Sequence, residues 1–419
     1  MASNIDSTKP TTTTATTQSV RDNFAAAKSE IEALQAAQLS LVIGTNVQAW
    51  DAQLDTWATV TPGTGVATAL AIGANESGGF LTTHRKNALI NGDFQIWPEG
   101  TSFAAIANST YFAEMWQYNK SGAMVHTVSQ SSNVPTVAEA GRMIPYSVLV
   151  DCTTADAAVA ASDVCRLTTY VEGSNFVYIA GVGLCHQFWS GHTKTGTYCV
   201  AYRNSGADRS FVREYTQNVA DTWEFKTLLV DASPTAGTWD YTTGIGLQVS
   251  FILTCGTTFQ TTAGTWQTGN FLATANQVNA CDNVANNFRL AGVQLEKGSV
   301  ATEFEAMKIQ DVKALCLRYG RTVGPGCVGA AIGAAEVDFG VDFSEVPMRT
   351  TPTAAIVDTT PSIEEIGIAA RTGVASTVNS ITGSELGIRF RLTGFGGMTA
   401  TNPCIITNAT PVIFLSARF

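Results

Sequence analysis

Charge is what this chain has least of. Asp, Glu, Lys and Arg make up 14 % of its 419 residues, against roughly 25 % in ordinary soluble domains, which excludes a densely charged helical protein. The 24 Lys and Arg are outnumbered by 34 Asp and Glu, leaving a formal charge of −10. No local basic run reverses that sign, so nucleic acid, held through clustered Lys and Arg, is excluded as the main partner. No apolar stretch approaches the ~18 residues of a membrane-crossing helix, and no membrane insertion is expected. The N-terminus, MASNIDSTKPTTTTATTQ, lacks the basic start and apolar core of a secretory signal. Synthesis in a cytoplasm, with exposure through lysis or assembly, is the expectation.

Reactive motifs are scarce as well. The nine cysteines (Cys152, Cys165, Cys185, Cys199, Cys255, Cys281, Cys316, Cys327 and Cys404) are odd in number and widely spaced, with no CxxC pair. They read as buried reduced thiols rather than a disulfide framework. Of the four histidines (His84, His126, His186 and His192), His186 and His192 share the segment CHQFWSGHTKTG, but their spacing suits neither a helix nor a zinc site. No metal or cofactor is expected. Gly324–Gly329 (GPGCVG) fits GxGxxG on paper, but Pro325 stiffens it and β-like sequence follows, so it reads as a Gly-rich turn. No Walker loop, HExxH or GxSxG appears. Glycan cleavage needs two carboxylates about 5–9 Å apart. Asp151, Asp156, Asp163, Asp208, Asp221, Asp231, Asp240 and Asp282 are scattered and read as turn aspartates. A β-helical depolymerase would show a repeat of roughly 20–30 residues, and none is present. No catalytic residue is assigned.

Gly, Thr, Ala, Ser and Asn fill the place of charge, which suits a mainly β protein with a surface of hydroxyls and amides. Residues 1–18 are Thr-rich and without apolar periodicity, an arm that orders only against a partner. Ser19-Val20-Arg21-Asp22 fits a capping box. Val20, Phe24, Ala27, Ile31, Leu34, Gln38 and Leu41 then form a heptad seam of about three repeats, and Val47, Trp50, Leu54 and Trp57 restart it after Gly44. A lone helix this short needs a partner for its stripe. Packing on its own globular domain would supply one, and a parallel coiled coil, trimeric in preference, is the reading favoured here. Residues 61–86 read as a short strand pair or linker. Strands are predicted at Tyr146–Val150, Tyr178–Gly181, Thr197–Ala201, Lys226–Val230, Gly246–Leu253 and Phe288–Leu295, separated by turn residues as in an antiparallel sandwich. Glu305–Tyr319 is a helix. Beyond it Val337/Phe339/Val341/Phe343 alternate, Ile388/Phe390/Leu392 alternate with Arg389 and Arg391, and Val412–Leu415 closes the chain as a strand.

Sugar binding needs aromatic faces beside amides or carboxylates. Phe188, Trp189, Trp223, Trp239 and Trp266 are the candidates, against the plainer reading as core aromatics. Trp189 in QFWSGH and Trp239 in GTWDYTTG have the most turn-like surroundings and are singled out as ligand-binding.

Five segments, in order, resemble those of bacteriophage tail-fibre and receptor-binding proteins. They are NIDSTKPTTTTATTQSVRDNFAAAKSEIEALQ (4–35), VQAWDAQLDTWATV (47–60), NALINGDFQIWPEGTSF (87–103) with Tyr111 and Trp116, VQLEKGSVATEFE (293–305) running on to Cys316, Arg318 and Tyr319, and VPMRTTPT (346–353). The stretches near 120–285 and 355–410 match nothing in that family, and the chain ends Ala417-Arg418-Phe419 rather than in an acidic strand. The resemblance implies an anchoring arm over 1–18 against another virion protein and a coiled-coil trimerisation segment over 19–60, with Val20, Phe24, Ala27, Ile31, Leu34 and Leu41 on its seam. A linker over 61–87, a jelly-roll-like β-sandwich over 88–305, a connecting helix over 306–320 and a small C-terminal β-domain over 321–419 complete the implied order. It implies a non-enzymatic virion fibre or spike, a homotrimer, that attaches to a host-surface glycan or receptor. A decoration protein without ligand and a glycan-depolymerising tailspike are the alternatives.

Overall fold

The computed structural model describes residues 17–39 and 85–419, which belong to two compact units. In the first, a helix spans Thr17–Leu39. It begins two residues before Ser19, so Ser19 is not its N-cap and the expected capping box does not open it; Gln18 instead donates to Asp22 one turn on, at 2.8 Å. Phe24, Ile31 and Leu34 are 73 %, 54 % and 65 % exposed, and Val20 and Ala27 are half-buried. The expected arm up to residue 16, Leu41, the second seam over 47–57 and the strand pair near 61–84 lie outside the described residues.

The second unit is mainly β. Thirteen strands form its first part. They are β1 (Ser102–Phe103), β2 (Thr110–Ala113), β3 (Trp116–Ser121), β4 (Val125–Ser131), β5 (Ser147–Thr154), β6 (Val164–Glu172) and β7 (Leu184–Ser190), then β8 (Gly196–Arg203), β9 (Arg209–Gln217), β10 (Glu224–Val230), β11 (Ile245–Cys255), β12 (Trp266–Thr268) and β13 (Asn287–Lys297). They make a six-stranded sheet, β1-β4-β5-β13-β7-β10, and a seven-stranded sheet, β12-β9-β8-β11-β6-β3-β2. Alternate residues of both face one core, with Trp116, Leu167, Phe188, Val200, Phe251 and Phe288 at its centre, as expected of a β-sandwich. Four of the six predicted central strands fall within these elements, and a fifth, Tyr146–Val150, begins one residue before β5. The sixth, Tyr178–Gly181, is not a strand: it is a run of turns after the one-turn helix Gly173–Phe176. Phe176 plugs the core, and Val177 and Ala180 donate back to Gly173 and Phe176, which leaves Tyr178 exposed where a strand would have buried alternate residues.

The segments that open and close the sandwich clasp each other. Asn87 is buried, and its amide donates to the Val293 carbonyl and accepts from the Leu89 and Leu295 N–H groups, each at 3.0 Å. The Asn87 N–H donates to Glu305 at 2.8 Å. Gly92 lies so close that a Cβ there would sit 2.1 Å from the Val293 oxygen, which is why the NG turn ends in glycine.

The predicted helix is shorter than expected, Ile309–Cys316, because the Glu305 clasp holds the preceding residues extended. Ten short strands lie between Gly320 and Ser416, around a second core that includes Val337, Phe339, Phe390, Leu392 and Leu415. The GPGCVG run lies between strands at Gly320–Val323 and Val328–Ala331; no helix follows it, and it is a turn. Arg389 and Arg391 lie opposite the buried Ile388, Phe390 and Leu392 and converge on Asp338 at 2.5 and 2.8 Å.

Three buried histidines stiffen the sandwich core, each joined to a tyrosine hydroxyl: His126 to Tyr118 at 2.6 Å, His186 to Tyr202 at 2.6 Å and His192 to Tyr215 at 2.8 Å. His192 Nδ1 accepts the Arg289 N–H at 3.2 Å, so Nε2 carries the proton and the ring is neutral. Burial lowers the pKa of His186 to about 3 and holds that of His192 well below the usual value.

These contacts set two expected outcomes. Asn87→Ala strands two buried N–H groups and a carbonyl, and should cost about 3–5 kcal/mol, read as a lower urea midpoint at unchanged slope; a loss under about 1 kcal/mol contradicts the clasp. The unfolded chain protonates its histidines near pH 6.5, whereas folded His186 does so near 3, so stability should be lost as pH falls below about 6.5. His186→Gln should flatten that loss between pH 6 and 4 by about 1 kcal/mol per unit; an unchanged slope contradicts the neutral core histidine.

Candidate functional site

The outward face of the seven-stranded sheet is covered at both ends and left polar between them. At one end the loop after β11 folds back over Cys199, Ala201, Val212 and Ile252 with Leu272 and Ala273. Ser210 pins it by donating to Gly269 at 2.5 Å and accepting from the Phe271 N–H at 2.9 Å. At the other end Val312, Cys316 and Tyr319 pack with Ile90, Met115 and Tyr170, and the C-terminal Phe419 rests against Tyr170, ring centroids 5.4 Å apart.

Strand alternation sets what lies between. Leu167 and Val249 face the core, so Arg166, Thr168, Tyr170, Gln248 and Ser250 face outward. Pairing places Asn119 beside Arg166, Gln117 beside Thr168, Thr168 beside Ser250, Tyr170 beside Gln248, and Gln248 beside Arg203. The result is a strip of hydrogen-bonding side chains across β3, β6, β11 and β8. The Thr168 and Ser250 hydroxyls meet at 3.1 Å. Tyr170 and Asn119 donate to the Gln117 carbonyl at 2.7 and 2.9 Å. Arg203, 4 % exposed, donates to Gln248 at 2.5 Å and also to Asn270.

Several of these groups have no partner. Arg166 Nε and Nη1, Arg203 Nε and Asn119 Oδ1 are buried without a hydrogen bond, a cost of about 1–3 kcal/mol for each such group. Burial lowers the pKa of Arg166. Burial, and then repulsion from Arg166, push Arg203 down to about 9. A guanidinium keeps its proton in a protein, so these shifts report poorly compensated charge. The neighbouring carboxylates are committed elsewhere: Glu214 to Thr274 and Asn276, Glu172 to Arg318 and Tyr319, and Glu114 to Arg418. Arg166, Asn119 and Gln248 are half-buried and Asn270 is exposed, so the strip opens along its margins. This arrangement can receive a ligand rich in hydroxyls, offering both donors and acceptors.

The two tryptophans singled out from sequence lie elsewhere. Trp189 is half-buried on the outward face of the six-stranded sheet, 5.3 Å from Phe225. Trp239 stacks on Phe176 at 5.1 Å, meets Trp266 at 5.7 Å, and donates its indole N–H to Ala236 at 3.1 Å. It serves to cap the core. No ring contact joins Trp189 to Trp239 among the described residues. Phe188 is a core residue, and Trp223 donates to Asn133 at 3.1 Å.

Four of the eight scattered aspartates are turn and ion-pair residues: Asp208 accepts from Thr238, Asp240 from Thr242, Asp221 from Arg289 and Asp282 from Lys194. Asp156 and Asp163 converge, an oxygen of each lying 3.0 Å from where a Cβ of Gly122 would sit. A wide cleft of about 390 Å³ between Pro98, Glu99, Val357, Asp358 and Pro411 has no aromatic lining. His126, Cys165 and Cys281, all buried, bring one ligand atom each within 4.8 Å of one another. Sequence spacing hid that group because β4, β6 and the turn before β13, far apart in the chain, assemble it; His126 Nδ1 is already bonded to Tyr118.

No family model matches the chain, and no curated protein matches it. Solved structures that match part of it include a CBM4 structure, with a TM-score of 0.27 and 11 % identity, covering 50 % of this chain and 99 % of that one. Another is TmCBM61 in complex with β-1,4-galactotriose, with a TM-score of 0.26 and 12 % identity, covering 51 % of this chain and 100 % of that one. A third is a family 11 carbohydrate-binding module from Clostridium thermocellum in complex with a β-1,3-1,4-mixed-linked tetrasaccharide, with a TM-score of 0.26 and 9 % identity, covering 48 % of this chain and 98 % of that one. Scores this low assign this chain neither a ligand nor a role.

Proposed function

We propose that this chain is a non-enzymatic glycan-binding protein, and that it serves as a virion fibre or spike attaching to a host surface. The observation that carries the binding reading is the strip between Asn119 and Arg203, a sheet face whose hydrogen-bonding groups are buried yet incompletely partnered. Elsewhere single nitrogens of His126, His186, Arg85, Arg289 and Arg371 are orphaned, but the strip gathers four orphaned atoms from three residues on one sheet face, where each buried polar group ordinarily finds a partner. Sugar hydroxyls supply both the donors and the acceptors that the strip lacks.

The virion role rests on the ordered resemblance of the five segments to phage fibre proteins. Residues 1–18 would bind another virion protein. The exposed Phe24, Ile31 and Leu34 on the helix Thr17–Leu39 favour self-association, and three copies would raise weak single-site contacts by avidity, roughly 10²–10⁴-fold.

Calorimetry of the purified full chain against oligosaccharides from host surface polysaccharide should show binding, with the polysaccharide's length unchanged on incubation. Absence of binding to any glycan contradicts the reading, and shortening of the polysaccharide favours a depolymerase. Ile31→Asp with Leu34→Asp should convert a sedimenting trimer to monomers and lower apparent affinity for immobilised glycan about 100-fold, while soluble monosaccharide binding stays constant. A parent chain that sediments as a monomer rules out the coiled coil.

A further inference from the structure

We propose that the glycan taken by the strip is acidic, and that Arg166, with Arg203 behind it, receives a sugar carboxylate. The inference rests on the strip being the glycan site and names the chemistry it selects.

Two cations share this face without a counter-ion. The Arg166 side chain makes no hydrogen bond or ion pair with any described residue, and its Nε and Nη1 are buried. Arg203 is oriented by Gln248 and Asn270, neutral acceptors that hold the guanidinium in place without cancelling its charge. The arginines on neighbouring parts of the molecule are treated differently. Arg318 grips Glu172 through Nε at 2.8 Å and Nη2 at 2.5 Å, and Arg418 grips Glu114 through Nη2 at 2.6 Å. Elsewhere the fold supplies an arginine with a carboxylate or with backbone carbonyls: Arg85 donates to Asn87 and Leu89, Arg321 to Leu317 and Val346, and Arg349 to Ala417 and Arg418. Where Arg166 stands, neither is supplied among the described residues.

An unpaired buried charge costs several kcal/mol, and a fold keeps it only if something else offsets that cost. A planar carboxylate does so best, because it takes two parallel N–H bonds from one guanidinium. The half-buried Asn119 and Gln248 amides on the same face suit the ring hydroxyls of the same sugar, while Thr168 and Ser250, fully buried and bonded to each other, form the floor beneath. The chain as a whole carries −10, so its net charge does not draw in a polyanion; selection depends on this local pair.

α-1,4-Linked trigalacturonate and α-1,4-linked galactotriose differ only in carrying a carboxylate or a hydroxymethyl at C6, and calorimetry should find the acidic trimer bound about tenfold tighter or more. Arg166→Gln should abolish that preference while the melting temperature stays level or rises, since an unpaired charge has been removed. Arg166→Lys, which keeps charge and loses the planar fork, should fall between, and so keeps the test decisive if the Gln variant misfolds. Equal binding of the two trimers, or a preference that survives both Arg166→Gln and Arg203→Gln, overturns the inference but leaves the glycan reading standing. A sulfated trimer that binds where the uronate does not overturns the carboxylate assignment. If no trimer and no other glycan binds, the glycan reading itself fails.

Discussion

The rest of the structure depends on the closure made at Asn87. Its amide joins residues more than 200 positions apart in the chain, pairing with the Val293 carbonyl and the Leu295 N–H. Those bonds align the opening segment on β13, a central strand of the six-stranded sheet. That alignment sets where the chain emerges after Glu305, and so where the helix Ile309–Cys316 and the C-terminal strands begin. Phe94 and Trp116, ring centroids 4.8 Å apart in the core, come from the same opening region and tie the closure to the packing of both sheets.

Closure leaves the outer face of the seven-stranded sheet unequally treated along its length. The C-terminal end returns to it: Arg418 meets Glu114, and the Phe419 carbonyl accepts the Tyr111 hydroxyl at 2.8 Å. The loop after β11 covers the opposite end. Each cover is held by buried polar contacts, Ser210 at one end and Arg418 with Glu114 at the other. The strip between them is where orphaned atoms gather, on Arg166, Arg203 and Asn119, and that concentration is what marks it as a binding surface. Apolar covers also lower the local dielectric, which raises both the cost of unpaired arginines and their pull on an incoming anion.

Much of this fold is legible in the chain. Alternation at Val337/Phe339 and at Ile388/Phe390/Leu392 marks real strands, and Phe288–Leu295, interrupted only by Arg289, Gly292 and Gln294, marks the centre of β13. The segments at 87–97 and 293–305 stand out as bracketing a domain, although nothing local says that they touch. Tyr178–Gly181 misleads because an apolar run reads alike for a strand and for turns packed behind a core plug such as Phe176. The strip is the harder case. Arg166, Thr168 and Tyr170 alternate with apolar neighbours as any half-solvated strand does, and only tertiary covering by distant segments turns that face inward. Aromatic residues in turn-like surroundings draw attention to Trp189 and Trp239, yet Trp239 is held against Phe176 and the unpartnered chemistry lies on another face.

The most direct measurement is a crystal structure of the chain with a bound acidic oligosaccharide. The account predicts the sugar along the open margin at Asn119 and Gln248, with a carboxylate on the Arg166 guanidinium and the covering loop at Ser210 in place. A ligand seated instead against Trp189 and Phe225, or in the cleft beside Pro98 and Val357, would contradict it.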